Sequence, residues 1–415
     1  MEFKMRYGKG HLNLEIPERN VSAVIEPRFP RVRDSRALVD AALRHPIASP
    51  ALEELVKDKR PERVVVVVND HTRPTPYGDL LPPLLEELTR SGVDAGAITL
   101  VVATGAHRGN TGEENLRWLG PVARAHRVVN HDSAGNLVRL GVLGNGCPLE
   151  VNALVAGADL VILTGMIAPH ELAGFSGGRK SILPGVAGAG AVAANHALMM
   201  AGGTGAGRLE GNPVHRVMME ALRAVKPGFL LNVVAGAGNR PVRVVAGDPE
   251  KAWLAGVDFC RKAVSVPSGI KADAAFTSAG GYPRDLNLYQ AIKPMRNAAK
   301  LLKDGGTLVV CAECPEGAGN AVLEKWALEA GTPAEMTARL QKGFVLGGHK
   351  AHLLADLVRK VTVVLVSSMP EPAVRNFFMT PAESFAAALK LVAGKHGPDF
   401  GALVIPEAGL VMPAG

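Results

Sequence analysis

From Arg63 onward the chain alternates short β-branched runs with stretches of helical period. VVVVVND, ending at Asp70, gives way to LLPPLLEELTRSG, and AITLVVATG is followed by TGEENLRWLG, where Thr111 and Glu114 have capping-box spacing. ADLVILTG (158–165) reads as another buried strand, and the alanine-rich AGAVAANHALMM (189–200) as a helix. The same grammar resumes after Ala272 in ADAAFTSAGG, NLYQAIKPMRNAAKLLKD, GTLVVCAE, VTVVLVSS, FAAALKLVAGK and ALVIPEAG. TPAE occurs at 332–335 and again at 380–383, and each copy predicts a helix start with Thr as N-cap, Pro first and Glu third.

Strands alternating with helices predict an α/β fold class built on mostly parallel sheets flanked by helices. A chain of 415 residues exceeds the usual size of one core, so two domains are expected. The amphipathic segment DPEKAWLAGVDFCRKAV (248–264) is expected to close an N-terminal cofactor-binding domain, 1–264. A C-terminal domain, 265–415, then contributes substrate-binding residues, with the active site in the cleft between the two.

Composition narrows the function classes. The hydrophobic fraction, 47%, is ample for burial, while the formal charge of +7 favours anionic ligands. Aromatic residues are only 4% and the cations are scattered, which argues against a nucleic-acid surface. No apolar stretch approaches a membrane span, and the first dozen residues carry charges, so a cytoplasmic protein is expected. Cys147, Cys260, Cys311 and Cys314 form no disulfide framework; the CAEC pair at 311–314 lacks a thioredoxin-like context and reads as packed thiols.

Candidate chemistry gathers at predicted strand ends, where open α/β sheets bind ligands. NDHTRPTP (69–76) offers Asp70, Thr72 and Arg73, suited to ribose hydroxyls and to phosphate or carboxylate. ATGAHRG (103–109) puts His107 after its strand as PHELAGFSGGRKS (169–181) puts His170 after another. Two imidazoles converging on one carbon from opposite faces suit inversion of a stereocentre, one taking a proton while the other donates. SGGRKS is one change from a P-loop, but Arg179 stands where a glycine belongs, which excludes an NTPase. Gly177 and Gly178 allow close backbone approach, and Lys180 suits a phosphate contact, a Schiff base or another covalent cofactor anchor. On the helix after GGYPRD, Gln290 and Lys293 share a face that suits a carboxylate, and Tyr289 suits packing.

Together DHTRPTP, GAHRG, PHELAGFSGGRKSILPGVAG, the NH pair at 195–196 and GGYPRDLNLYQAIK resemble the nickel-dependent lactate racemase family of 2-hydroxyacid racemases and epimerases. The resemblance implies a nickel pincer nucleotide, a pyridinium mononucleotide with sulfur-bearing arms made by separate maturation enzymes. It implies Lys180 as the thioamide tether, His196 as the nickel ligand and His107 and His170 as the acid/base pair. Asp70, Thr72, Arg73, Gly177 and Gly178 are implied for the cofactor pocket, and Arg73, Tyr289, Gln290 and Lys293 for the substrate. The implied reaction moves a hydride from C2 of a small 2-hydroxy acid to the cofactor, giving a keto acid, and returns it to the other face. Glu171, Leu172, Arg284 and Pro294 depart from the motif and bear on which hydroxy acid is used. Two rivals carry different chemistry: a pyridoxal-phosphate racemase with Lys180 as the Schiff base, and a non-catalytic carboxylate or nucleotide sensor. The oligomeric state is not legible.

Overall fold

The structure is a computed structural model that describes residues 1–267, 269–343, 345 and 347–413. It resolves two α/β units, Arg28–Ala263 and Met1–Pro27 with Val264–Gly415.

The first unit holds strands β1 (Val64–Asn69), β2 (Ile98–Ala103), β3 (Arg127–Asn130), β4 (Leu160–Met166), β5 (Phe229–Ala235) and β6 (Pro241–Gly247). Their order is β6-β5-β4-β1-β2-β3, parallel throughout except for β5 with β6. Covering helices bury both faces of β1, β4 and β5, which explains why these strands read as continuous apolar runs rather than alternating ones. Helix α1 (Tyr77–Arg90) packs Leu80, Leu81, Leu84 and Leu88 into that core. Helix α2 (Gly112–Leu119) begins with the expected capping box: Glu114 N–H donates to Thr111 Oγ1 (3.2 Å) and Thr111 N–H to Glu114 Oε2 (2.8 Å). Helices α3 (Ala189–Ala197), α4 (Pro213–Val225) and α5 (Lys251–Val264) complete the elements that matter for the site.

The chain runs from β1 to β2 and β3 toward one edge, then returns to β4 on the other side of β1. The topological switch point therefore lies between β1 and β4, and their carboxyl ends flank the crevice that such sheets use for ligands.

The second unit is an all-parallel sheet of β7 (Ala272–Ser278), β8 (Leu302–Cys311), β9 (Thr362–Val366), β10 (Thr380–Ala382) and β11 (Ala402–Ile405), ordered β10-β9-β8-β7-β11, with Val21–Val24 as the last strand beyond β11. This corrects the expectation that residues from position 1 belong to the N-terminal domain. Val21–Val24 pairs with β11, Ile25 N–H donates to the Val404 carbonyl (2.8 Å), and Met5, Leu14 and Ile16 enter the core around Phe276 and Val309. A short segment far from its sheet in sequence is captured by edge pairing, which hydrophobic period alone does not reveal.

Helix α6 (Leu288–Ala299) follows β7, capped by the Asn287 side chain. The first TPAE begins a helix as expected, α7 (Pro333–Lys342). The second does not: Thr380–Ala382 is strand β10, laid along Val364–Val366, and helix α9 (Phe385–His396) starts from Ser384, whose Oγ accepts from Ala387 N–H (3.2 Å). Strand pairing outweighs the local cap signal there. Between them lies α8 (Gly348–Lys360). Among the described residues no helix is long and apolar enough to cross a membrane.

Candidate active site

Asp70 leaves the end of β1 into a tight turn, with Arg73 N–H on its carbonyl (3.1 Å). Its side chain is buried and organises the turn: Oδ1 accepts from Thr72 N–H (3.2 Å) and Oγ1–H (2.7 Å), while Oδ2 lies 2.6 Å from His107 Nδ1. Arg73 Nη1 donates to Thr72 Oγ1 (2.9 Å). Burial alone pushes the Asp70 carboxyl up, but the charges of His107 and Arg73 and hydrogen bonds from His107 and Thr72 outweigh it and hold the group at about 2. An ionised carboxylate only accepts, so His107 carries its proton on Nδ1 and offers Nε2 as the lone-pair nitrogen. The His107 side chain is 37% exposed against 3% for Asp70, so the ring stands at the surface on a buried carboxylate.

His170 lies past the end of β4 in a two-residue ladder, Pro169–His170 against Gly174–Phe175. Its Nδ1 accepts from the backbone N–H groups of Leu172 and Ala173, both at 3.2 Å. Two donors on Nδ1 put the proton of the neutral ring on Nε2. The two histidines are thus held in opposite tautomers. Lys180 lies in the 3-10 turn Gly178–Ser181, its N–H on the Gly177 carbonyl (3.2 Å). Past that turn, Gly105 N–H donates to the Gly185 carbonyl (2.9 Å), joining the stretch that bears His107 to the one that follows Lys180.

Gly177 and Gly178 have φ of +75° and +54°. A Cβ on Gly177 would stand 2.5 Å from Asn232 Oδ1, and one on Gly178 2.6 Å from Trp253 Cγ. The close approach expected of these glycines toward a ligand is therefore taken up by the protein's own Asn232 and Trp253 side chains. Asn232 Oδ1 also accepts from Gly178 N–H (2.8 Å). His196 sits on α3 with Nδ1 2.8 Å from the Val192 carbonyl, one turn earlier, which puts the proton of the neutral ring on Nδ1 and the lone pair on Nε2.

In the other unit, Tyr289, Gln290 and Lys293 fall on α6. The Tyr289 ring meets His349 edge-on at 6.0 Å and lies 5.2 Å below Lys350 Nζ, so the second unit adds an imidazole and an ammonium beside the predicted residues. Asn232, Trp253 and Lys350 stand outside the predicted motifs, and Arg179 enters them only as a departure from the P-loop pattern. An asparagine inside the apolar run FLLNVVA is a signal for the first; Trp253 offers none. All four cysteines are free, and burial pushes the Cys311 and Cys314 thiols up to about 12, which suits packing and not redox exchange.

Two α/β units on mostly parallel sheets, one with a carboxylate, two oriented imidazoles and a lysine beyond its strand ends, are the architecture of a ligand-binding α/β protein. The family models described as the lactate racemase N-terminal and C-terminal domains match residues 7–207 and 268–412. A lactate racemase of Thermoanaerobacterium thermosaccharolyticum is 35% identical over 414 residues, 97% of this chain and 96% of the relative. One of Lactiplantibacillus plantarum is 34% identical over 381 residues, 89% and 88% of the two chains. The structure of the lactate racemase apoprotein from Thermoanaerobacterium thermosaccharolyticum matches with a TM-score of 0.91 at 33% identity, covering 100% of both chains. A Thermotoga maritima protein shares the fold at a TM-score of 0.72 and 18% identity, covering 93% of this chain and 99% of its own. The chain belongs to the lactate racemase family and is an isomerase.

Proposed function

We propose that this chain interconverts the enantiomers of lactate, or of a closely related 2-hydroxy acid, with His107 and His170 as its acid/base pair. The observation that carries the reading is the opposite setting of the two rings beside one switch point: Nδ1 of His107 on a carboxylate, Nδ1 of His170 under two amides. His107 then accepts the C2 hydroxyl proton at Nε2, and Asp70 stabilises the imidazolium that forms. His170 presents Nε2–H to the C2 oxygen. Arg73 suits the substrate carboxylate through its planar fork.

The residues present fit a nickel pincer nucleotide. Among the described residues no group of three or more His, Cys, Asp or Glu is arranged to hold a metal, so His196 needs further donors from a non-protein group such as the sulfur-bearing arms. Beside it on α3, Asn195 is fully buried and neither of its amide atoms has a hydrogen-bond partner among the described residues, an orphan that a bound polar group would satisfy. Lys180 is the amine for a thioamide tether, with Asp70, Thr72 and Arg73 around the pocket. When bound, the group supplies the hydride acceptor that no side chain offers. The partners of this reading are the substrate and the maturation enzymes, and four free thiols fit the reducing cytoplasm.

The test is the protein co-expressed with its maturation enzymes in nickel medium, analysed by chiral chromatography of L- and D-lactate and by intact mass. Racemisation with a sulfur-containing nucleotide adduct on Lys180 is expected. A borohydride-trapped pyridoxyl group on Lys180, or no turnover of any 2-hydroxy acid by fully loaded protein, overturns the reading.

A further inference from the structure

The loop that carries His170 and Lys180 encloses a guanidinium that forms no ion pair among the described residues. Arg179 is 0% exposed, and burial pushes its ionisation down to about 9. At neutral pH it is still a cation, and a buried cation without a carboxylate is costly unless other groups replace its water. Here carbonyl oxygens do so. Nη1 donates to Phe175 (2.8 Å) and Gly177 (3.4 Å), and Nη2 to Ala173 (2.5 Å). Nε donates to Nδ1 of His215 (3.1 Å), a ring that burial and the charges of Arg179 and Arg223 push down to about 4, so that it is a neutral acceptor. The guanidinium Cζ lies 3.9 Å from the centroid of the Trp253 ring, whose Nε1–H donates to the Ser176 carbonyl (3.0 Å).

Alternate residues 173, 175 and 177 therefore turn their carbonyls onto one planar fork. A phosphate-binding loop turns its N–H groups inward onto an anion; this one has the opposite electrical sense, because its centre is a cation supplied by the loop itself. Both functional ends hang from that centre. The Ala173 carbonyl is held by Arg179 while the Ala173 N–H donates to His170 Nδ1. The Gly177 carbonyl is held by Arg179 and also accepts from Lys180 N–H.

We propose that Arg179 is the positioning residue of this loop, its buried planar fork setting the His170 ring and the Lys180 backbone in one geometry. The inference rests on the roles given above to His170 and Lys180. A lysine at 179 would keep a cation but lose the fork, so charge alone is insufficient.

Hydrogen exchange by mass spectrometry on cofactor-free wild type, Arg179→Lys and Arg179→Met tests this without turnover. The peptide covering 169–183 is expected to exchange about tenfold faster in both variants, as the loss of one net hydrogen bond implies. The β1 and β4 peptides should be unchanged. In 15N-histidine spectra, the His170 resonance, identified by its absence in His170→Gln, should leave the Nε2–H tautomer pattern in both variants. In loaded protein kcat should fall about 100-fold, the size of a small misplacement, with KM for lactate nearly constant. Should both Arg179 variants fail to fold, Trp253→Phe keeps the ring but removes the bond to Ser176, and a localised rise in loop exchange is expected. Unchanged exchange and tautomer in the variants that fold, or full rescue by Arg179→Lys, overturns the proposal. Because exchange and tautomer are read on cofactor-free protein, a wild type that fails to racemise lactate counts against the proposed function alone.

Discussion

The two histidine-bearing ends of the first unit are held by different physics. At the end of β1, His107 is oriented by a side-chain hydrogen bond to a buried carboxylate, and Thr72 and Arg73 tie that carboxylate to the turn. Beyond β4, His170 is oriented by backbone amides whose loop wraps a buried guanidinium. The first arrangement answers to charge and pH; the second answers to backbone geometry. A two-base reaction benefits from the difference, since identical settings would give both rings the same tautomer and leave no acceptor opposite a donor.

The largest effects come from removing the rings themselves. His107→Ala and His170→Ala should each abolish racemisation, a loss of about 1,000-fold or more for a missing proton-transfer group, with nickel retained by metal analysis. Lys180→Ala should carry no adduct by intact mass. Full racemase activity in His170→Ala contradicts the comparison outright.

Next is Asp70→Asn, which leaves the shape but removes the charge. Loaded activity should fall about 100-fold because the imidazolium loses its counter-ion. The same variant separates the two ends by pH. The Asp70 carboxyl is depressed from 3.8 to about 2 in the folded chain, so its stabilisation is complete above about pH 4 and disappears as pH falls toward 2. Integrated, that is about 2 kcal/mol, visible as a urea-midpoint decline in wild type that is shallower in Asp70→Asn. An identical decline in both proteins sinks the electrostatic account of the His107 end.

At the other end, Gly178→Ala adds a methyl against Trp253 at a positive φ, and should cost about 1–3 kcal/mol in a melting or denaturant measurement. Unlike Asp70→Asn, its cost should be flat from pH 4 down to 2. The smallest expected effect is Thr72→Val. It removes a hydroxyl from Asp70 and Arg73, about 1 kcal/mol of stability and less than a tenfold change in turnover. A larger loss than from Asp70→Asn would move the centre of this end from the carboxylate to the hydroxyl.

Much of the frame was legible in the sequence because buried parallel strands are written as unbroken apolar runs. VVVVV, ITLVVA and LVILTGM each became a strand of the first sheet, and the candidate residues follow the ends of these strands. The second TPAE and the Val21–Val24 strand were not legible, since both depend on pairing with Val364–Val366 and Ala402–Val404 far away in the chain. Arg179 was legible only as a broken motif.

The sequence by itself determined which side chains stand at strand ends, because local period sets where strands stop and chain order sets which residues come next. It determined the family through motifs whose order is preserved over both halves. Only the tertiary structure decided which nitrogen of each histidine faces the protein, because that depends on Asp70 arriving from one strand and the Leu172 and Ala173 amides from a folded-back loop. It alone decided that Arg179 points inward, since a guanidinium stays in solvent unless a loop closes its carbonyls around it, and loop closure is a property of three-dimensional packing against Trp253, His215 and Asn232.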